Sequence, residues 1–427
     1  MGKTQEIICA IEFGTSKISV LFGSIDSDQT MQVEGFGSIP SMNAIVKGEI
    51  TDMAKATELL EKAINQADKN NLINKCREVV VLVNGSNITS KIESITTIVK
   101  NPQGIIDDAI MDEARENAKY LHRQNEDRQI IALVDLYYEI EGRRLRQPQN
   151  QHCTQFKSYY YAIYGSENRL KNFMKVVEDT DLFENYSHDY IFSPVASAYG
   201  ILSPSENETG VILIDIGAGT TTYIVQEDNA ICTTGMIQVG FDHVINDLAI
   251  GLDLPFEYCR RLLENGDITK AIDNNEEYIE ATSNKVGSSR KIPVISFTTI
   301  IDCRINEIFD IILKQINNLP ENPLATLKSG GVLTGGAANF KRVKELFQNK
   351  FGMDCLVRGP ANVQGGAREI YSPRYSALWG GLKIASTYSK YNSPPKIVWY
   401  RNAVNSLSKM IENCPKAMKQ FVKSLRF

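Results

Sequence analysis

Two short stretches place the same residue types at the same spacing. Glu12-Phe13-Gly14-Thr15-Ser16-Lys17 interrupts two apolar runs within ICAIEFGTSKISVLF (8–22). About two hundred residues later, Asp215-Ile216-Gly217-Ala218-Gly219-Thr220-Thr221 interrupts ILIDIGAGTTTYIV (212–225). Each reads as an apolar strand ending on an acid, then glycine, then hydroxyls, then a second strand. Glycine reaches positive φ and carries no Cβ, so backbone N–H groups can converge on an anion. Ser and Thr hydroxyls add donors at the tip. A carboxylate at the strand end repels phosphate but orders Mg²⁺ or its waters. Ordinary Gly/Thr hairpin turns share part of this pattern; the repetition argues for two phosphate loops facing each other across two domains. Neither is a Walker A loop, because a strand follows the glycines where a helix should begin.

A third glycine cluster lies in KSGGVLTGGAANFKRVKELF (328–347). It predicts a buried strand, a Gly335-Gly336 turn against which a flat purine can lie, and an amphipathic helix from about Asn339.

The elements that must position these loops are α/β in character. Strands and helices alternate through 1–84 and 166–245, while 85–165 is richer in strands. Its tyrosine-rich alternation (Tyr159, Tyr161, Tyr164) reads as packing, and Arg143-Arg144-Arg146 as a solvated loop tip. The chain has 427 residues, 43% hydrophobic and 23% charged, enough for two or three cores. A net charge of -5 argues against nucleic acid. Eight scattered cysteines and four histidines show no metal or disulfide spacing, which favours a reducing compartment. No leader-like start or 18-residue apolar run is present, so neither secretion nor membrane spanning is expected.

The charge is unevenly spread. From Arg401 to Phe427 there are six basic residues and one acid, leaving 40 Lys/Arg against 50 Asp/Glu elsewhere. Within this end, Met418, Phe421, Val422 and Leu425 recur at i, i+3, i+4, i+7, flanked by Lys416, Lys419 and Lys423. A basic amphipathic helix after a Ser-Pro-Pro break reads as an anchor on an anionic membrane surface. Each basic residue near such a leaflet contributes about 1 kcal/mol.

The two hairpins and the Gly-Gly turn, in this order, resemble the actin/Hsp70/sugar-kinase ATPase superfamily. Within it, the chain is similar to the FtsA family along nearly its whole length. The similarity rests on VVVLVNGSNITS (79–90), PVASAYGIL (194–202), VGFDHVINDLAIGL (239–252), IDCRINEIFDIILKQI (301–316) and SPRYSALWGGLKIA (372–385). The resemblance implies a two-lobed actin-like, ribonuclease H-like fold. Subdomain 1A would take 1–84 and 166–204, 1C 85–165, 2A 205–245 and 326–388, and 2B 246–325. A linker (389–401) and the amphipathic tail (402–427) would follow.

It further implies ATP and Mg²⁺ as cofactors. Gly14, Thr15, Ser16 and Lys17 would form the first phosphate loop, and Gly217, Gly219, Thr220 and Thr221 the second. Gly240, Gly335 and Gly336 would border the nucleotide, while Glu12 and Asp215 would serve metal and catalysis. The implied partners are further copies in an actin-like protofilament, an anionic membrane and the FtsZ C-terminal tail, for which Arg304 and Glu307 are the candidates. The place implied is the cytoplasmic face of the bacterial inner membrane.

Three departures bear on turnover. Glu12 stands where the superfamily usually has Asp, Ser193 where FtsA-like proteins tend to have Glu before Pro-Val-Ala-Ser-Ala, and Thr222 where an acid is common. A positioned carboxylate contributes typically about 10²–10⁴ in rate, so tight ATP binding with slow or absent hydrolysis is expected. The alternatives are a PilM-like pilus scaffold and a small-molecule kinase of the same superfamily.

Overall fold

The computed structural model describes residues 7–25, 31–119, 127–183, 186–282, 289–319, 322–366 and 368–388. Strand Ile7–Phe13 is buried along nearly all its length, as an apolar run covered on both faces must be. It pairs antiparallel with Lys17–Ile25, which pairs antiparallel with Met31–Pro40. On its other side it runs parallel to Cys76–Val83, which runs parallel to Ser187–Phe192.

The second sheet repeats this plan. Val211–Ile216 pairs antiparallel with Thr221–Glu227 and through it with Ala230–Ile237, and runs parallel to Gly331–Thr334, then Cys355–Val357. Even the register is duplicated: Glu12 stands opposite Ser19, and Asp215 opposite Thr222. The first sheet has one extra strand, Gln364–Gly365, which reaches it from far along the chain and runs parallel to Met31–Pro40.

Helix Met53–Ala67 covers one face of the first sheet. Its buried residues Ala56, Leu59, Leu60, Ala63, Ile64 and Ala67 follow helical spacing, and the Asp52 side chain caps it by accepting from Lys55 N. Helix Ser376–Tyr388 packs on the strands of the same sheet and, more closely still, against helix Ser193–Ile201. Glycine permits that crossing. A Cβ on Gly380 would lie 1.7 Å from the Ala196 carbonyl oxygen, and one on Gly200 would lie 2.8 Å from the Ser376 oxygen.

The crossing is braced at its ends. Lys383 Nζ donates to the Tyr199 carbonyl at 3.2 Å, and burial lowers the lysine's pKa. Arg358 grips Glu206 through two nitrogens at 2.6 and 2.8 Å and donates to Ile201 O at 3.1 Å. One apolar cluster runs through the first sheet into Val211, Leu213, Ile224 and Val332 of the second. Another fills the second half around the long helix Val294–Asn317.

An insert separates strands Cys76–Val83 and Ser187–Phe192. Its four strands lie in the order Thr89–Ile98, Gln155–Ser166, Arg128–Ile140, Arg143–Leu145, beside helix Asp108–Lys119. Tyr160 and Tyr164 are buried, while Tyr137 and Tyr159 stack 4.4 Å apart. The helix expected from about Asn339 begins instead at Lys341, because Gly336–Asn339 forms a tighter 3₁₀ turn. Among the described residues, no helix is long and apolar enough to cross a membrane.

Candidate functional site

The two glycine turns are closed by the same hydrogen bond. Gly14 N donates to Lys17 O at 2.9 Å, and Gly217 N to Thr220 O at 3.0 Å. Thr15 therefore matches Ala218, Ser16 matches Gly219, and Lys17 matches Thr220. The turns meet across a cleft: a Cβ on Gly219 would lie 2.5 Å from Thr15 Oγ1. Asn84 strengthens this meeting, its Nδ2 donating to Thr220 Oγ1 at 3.4 Å.

The turn carbonyls are drawn away from the cleft. Ser41 donates to Thr15 O through its hydroxyl and to Ser16 O through its N–H. Phe241 N and Asp242 N, the first donors of helix Phe241–Gly251, bind Gly217 O and Ala218 O at 2.9 Å each. What the two turns present to the cleft is accordingly rich in donors: the Thr15, Ser16 and Thr220 hydroxyls and the Lys17 ammonium.

Two carboxylates lie at the strand ends. Asp215 Oδ2 accepts from Ser197 Oγ at 2.9 Å. Burial, and then the nearby Glu12 charge, push Asp215 up to about 6. Glu12 Oε2 is buried and accepts no hydrogen bond, although Lys17 Nζ lies 3.8 Å away. An orphaned carboxylate oxygen beside a second carboxylate fits a cation or its ordered water.

Gly335 is held against this pair. It has φ +87°, and a Cβ there would lie 2.4 Å from Asp215 Oδ1. Gly336 faces open space, with nothing within 4 Å of its Cβ position. Lys17 Nζ donates to Arg374 O at 3.0 Å and lies 4.3 Å above the Tyr375 ring. The whole cleft encloses about 1100 Å³, with Arg260, Thr269, Asn339 and Phe340 also on its wall. That is room for a ligand as large as a nucleotide.

The structure brings together Glu12, Gly14, Thr15, Ser16, Lys17, Asp215, Gly217, Gly219, Thr220, Gly335 and Gly336 on one cleft. Two expected residues stand elsewhere. Thr221 is fully buried and donates to Val239 O at 2.8 Å; strand alternation turns it inward and gives Thr222 to the cleft. Gly240 stands behind the second turn, where its missing Cβ lets Ala218 O approach. Asn84, Arg260, Arg374 and Tyr375 are cleft residues that sequence reasoning missed. Thr222, named from the sequence only as a departure from the usual acid, also lines the cleft, as its period-two relation to Thr220 requires.

Ser193 lines the cleft but spends its hydroxyl on Val83 O at 3.1 Å. Arg304 lies away from the cleft. Its guanidinium binds both Asp247 oxygens, at 2.6 and 3.1 Å, and Glu307 at 2.5 Å. The membrane-anchor residues Lys416, Met418, Lys419, Phe421, Val422, Lys423 and Leu425 lie outside the described residues.

Comparison with known proteins places this geometry. A family model for "Cell division protein FtsA" matches residues 212–380. The FtsA of Neisseria meningitidis serogroup B is 26% identical over 386 residues, spanning 90% of this chain and 91% of its own. The Bacillus subtilis FtsA is 26% identical over 89% of this chain and 84% of its own. Among solved structures, the PilM-PilN type IV pilus biogenesis complex aligns with TM-score 0.60 at 10% identity, covering 88% of this chain and 97% of that one. MreB5 of Spiroplasma citri bound to ADP aligns with TM-score 0.54 at 13% identity, covering 92% and 100%. At such identities these two carry the fold alone. Family model and full-length relatives together show that the chain, on an actin-like fold, is similar to the FtsA cell division family along nearly its whole length.

Proposed function

We propose that the cleft binds ATP with Mg²⁺, and that the bound nucleotide switches an adaptor which assembles with its own copies and tethers FtsZ filaments to the inner face of the cell membrane. One observation carries the nucleotide reading: two turns with identical closure present donors to a shared cleft beside two carboxylates. MreB5, with the same fold, was solved with ADP, which supports the choice of ligand class.

The first turn would hold one end of the phosphate chain through Thr15, Ser16 and Lys17, and the second the other through Gly219 and Thr220. Lys17 would give up its Arg374 carbonyl for a phosphate oxygen. Glu12 and Asp215 would hold Mg²⁺ or its waters, and the ion would offset phosphate charge. The open face at Gly336 admits a flat base. With Ser193 tied to Val83 O, no carboxylate stands at that point of the wall to activate water, so hydrolysis is slow or absent. The Ser193→Glu variant should raise phosphate release by about tenfold or more.

In this reading the basic tail docks on anionic lipid, and assembly multiplies weak single attachments by avidity. The FtsZ tail reaches the face carrying Arg304 and Glu307, where an incoming carboxylate has to displace Asp247 or Glu307 from the guanidinium. The test is co-sedimentation of the full chain with anionic liposomes, with and without ATP, against a truncation after Tyr400. ATP-promoted, tail-dependent sedimentation is expected. Sedimentation unaffected by both would remove the adaptor model.

A further inference from the structure

The insert is fastened to the second sheet as well as to the first. Strand Ala230–Ile237 is an edge of that sheet, so part of its backbone has no strand to pair with. The Thr234 N–H is instead donated to the phenol oxygen of Tyr161, on insert strand Gln155–Ser166, at 2.9 Å. The same phenol oxygen lies 2.6 Å from Ser90 Oγ of the neighbouring insert strand. Tyr161 and Thr234 are both buried. At the insert's outer end, Arg146 holds the carboxylate and the carbonyl of Asp228, in the turn leading to the same edge strand.

The contact continues inward. Thr234 Oγ1 donates to the Tyr223 carbonyl at 2.8 Å. Tyr223 follows Thr222, which lines the cleft, on the strand that begins at the second glycine turn. A Cβ on Gly235 would strike the Tyr223 ring at 2.5 Å, so the edge strand's backbone lies close against that ring. Hydrogen bonds thus run from half-buried Ser90 through buried Tyr161 and Thr234 to Tyr223, one residue from the cleft wall.

We propose that Tyr161 is a positioning residue: its hydroxyl couples the insert's seat to the placement of the second glycine turn. Ligand binding in the cleft and docking of the insert then stabilise each other by the same factor. This rests on the nucleotide reading of the cleft for its ligand, but not for the contact itself. Removing the hydroxyl leaves the buried Thr234 N–H unsatisfied, an effect of about tenfold in a local equilibrium.

The experiment is residue-level amide hydrogen exchange on the full chain and its Tyr161→Phe variant, without ligand and with Mg²⁺-ATP, beside an ATP titration. Without ligand, the variant should exchange about tenfold faster at Thr234 and also faster in both Thr89–Ile98 and Thr221–Glu227, with an unchanged rate in helix Met53–Ala67. With ATP, the wild type should gain protection in Thr89–Ile98, and the variant should lose that gain and bind ATP several-fold more weakly. Ligand-free exchange confined to Thr234 would overturn the proposal, as would variant and wild type sharing one ATP response. A wild type that binds no ATP sinks the nucleotide reading, while the ligand-free comparison still decides the coupling. Arg146→Ala, which removes only an exposed side chain, serves as second variant if Tyr161→Phe fails to fold. It should speed exchange in the same two strands, and no change there would count against the coupling.

Discussion

Gly380→Ala sets two physical effects against each other. Replacing an interior helical glycine with alanine ordinarily stabilises by about 1 kcal/mol through backbone entropy. Here the new Cβ would lie 1.7 Å from Ala196 O and 2.5 Å from Ala196 C, where real Cβ atoms essentially never approach within 3.0 Å. The difference between 3.0 and 1.7 Å requires helices Ser193–Ile201 and Ser376–Tyr388 to part by at least 1.3 Å. A gap of about 0.5–1 Å already forfeits a quarter to a half of each dispersion contact. Overpacking of this kind costs about 1–3 kcal/mol, and more where backbone meets backbone. Taking the upper end of that range less the entropic gain, the clash should win, for a net loss of about 2 kcal/mol. The assay is urea unfolding of the full chain, with Gly381→Ala as control. There the new Cβ meets the end of the Leu82 side chain at 2.6 Å, which can rotate aside, so the loss should stay below about 1 kcal/mol. Gly380→Ala matching or exceeding wild-type stability, or costing no more than Gly381→Ala, would refute the reasoning.

Asp215→Asn should stabilise the ligand-free protein while weakening Mg²⁺-ATP binding. With the folded carboxyl at about 6 against an ordinary 3.8, the folded state binds the proton more tightly, so its contribution declines as pH rises through that window. Unfolding should show a gain of about 1–3 kcal/mol at pH 7.5 and little at pH 4; a gain independent of pH would contradict it. Arg358→Ala should cost about 1.5–3 kcal/mol, because Glu206 and the Ile201 carbonyl lose a charged donor together. Thermal unfolding in low and high salt checks this, and a loss that disappears in salt would mark a mere surface pair. Lys17→Ala should weaken ATP binding without lowering the melting temperature by more than a few degrees, since the ammonium sits on the cleft wall. Equal ATP affinity in a fluorescence titration would count against its phosphate role.

The site was legible where its chemistry is local. Acid, glycine and hydroxyl within a few residues identify each turn, and the duplicated turn carries the duplicated sheet with it. The rest was not legible, because direction or distance decides it. Thr220, Thr221 and Thr222 look alike in sequence, and only the strand's period of two sends Thr221 to Val239 and Thr222 to the cleft. Arg374 and Tyr375 reach Lys17 across more than three hundred residues, and Asp247 reaches Arg304 across 57. Neither meeting leaves a spacing pattern in the chain. The start of helix Lys341–Phe351 shifted because two glycines set the backbone of the preceding turn more than the apolar periodicity did.

Strand Gln364–Gly365 and helix Ser376–Tyr388 complete the first sheet and its core from the far end of the chain. During synthesis, then, the amino-terminal half leaves the ribosome with one apolar face bare until nearly four hundred residues have been joined. At about 5–20 residues per second, that face stays uncovered for tens of seconds. The two halves therefore mature together rather than in order of translation, and a nascent chain stalled before residue 376 should be a strong client for chaperones that bind exposed apolar surface.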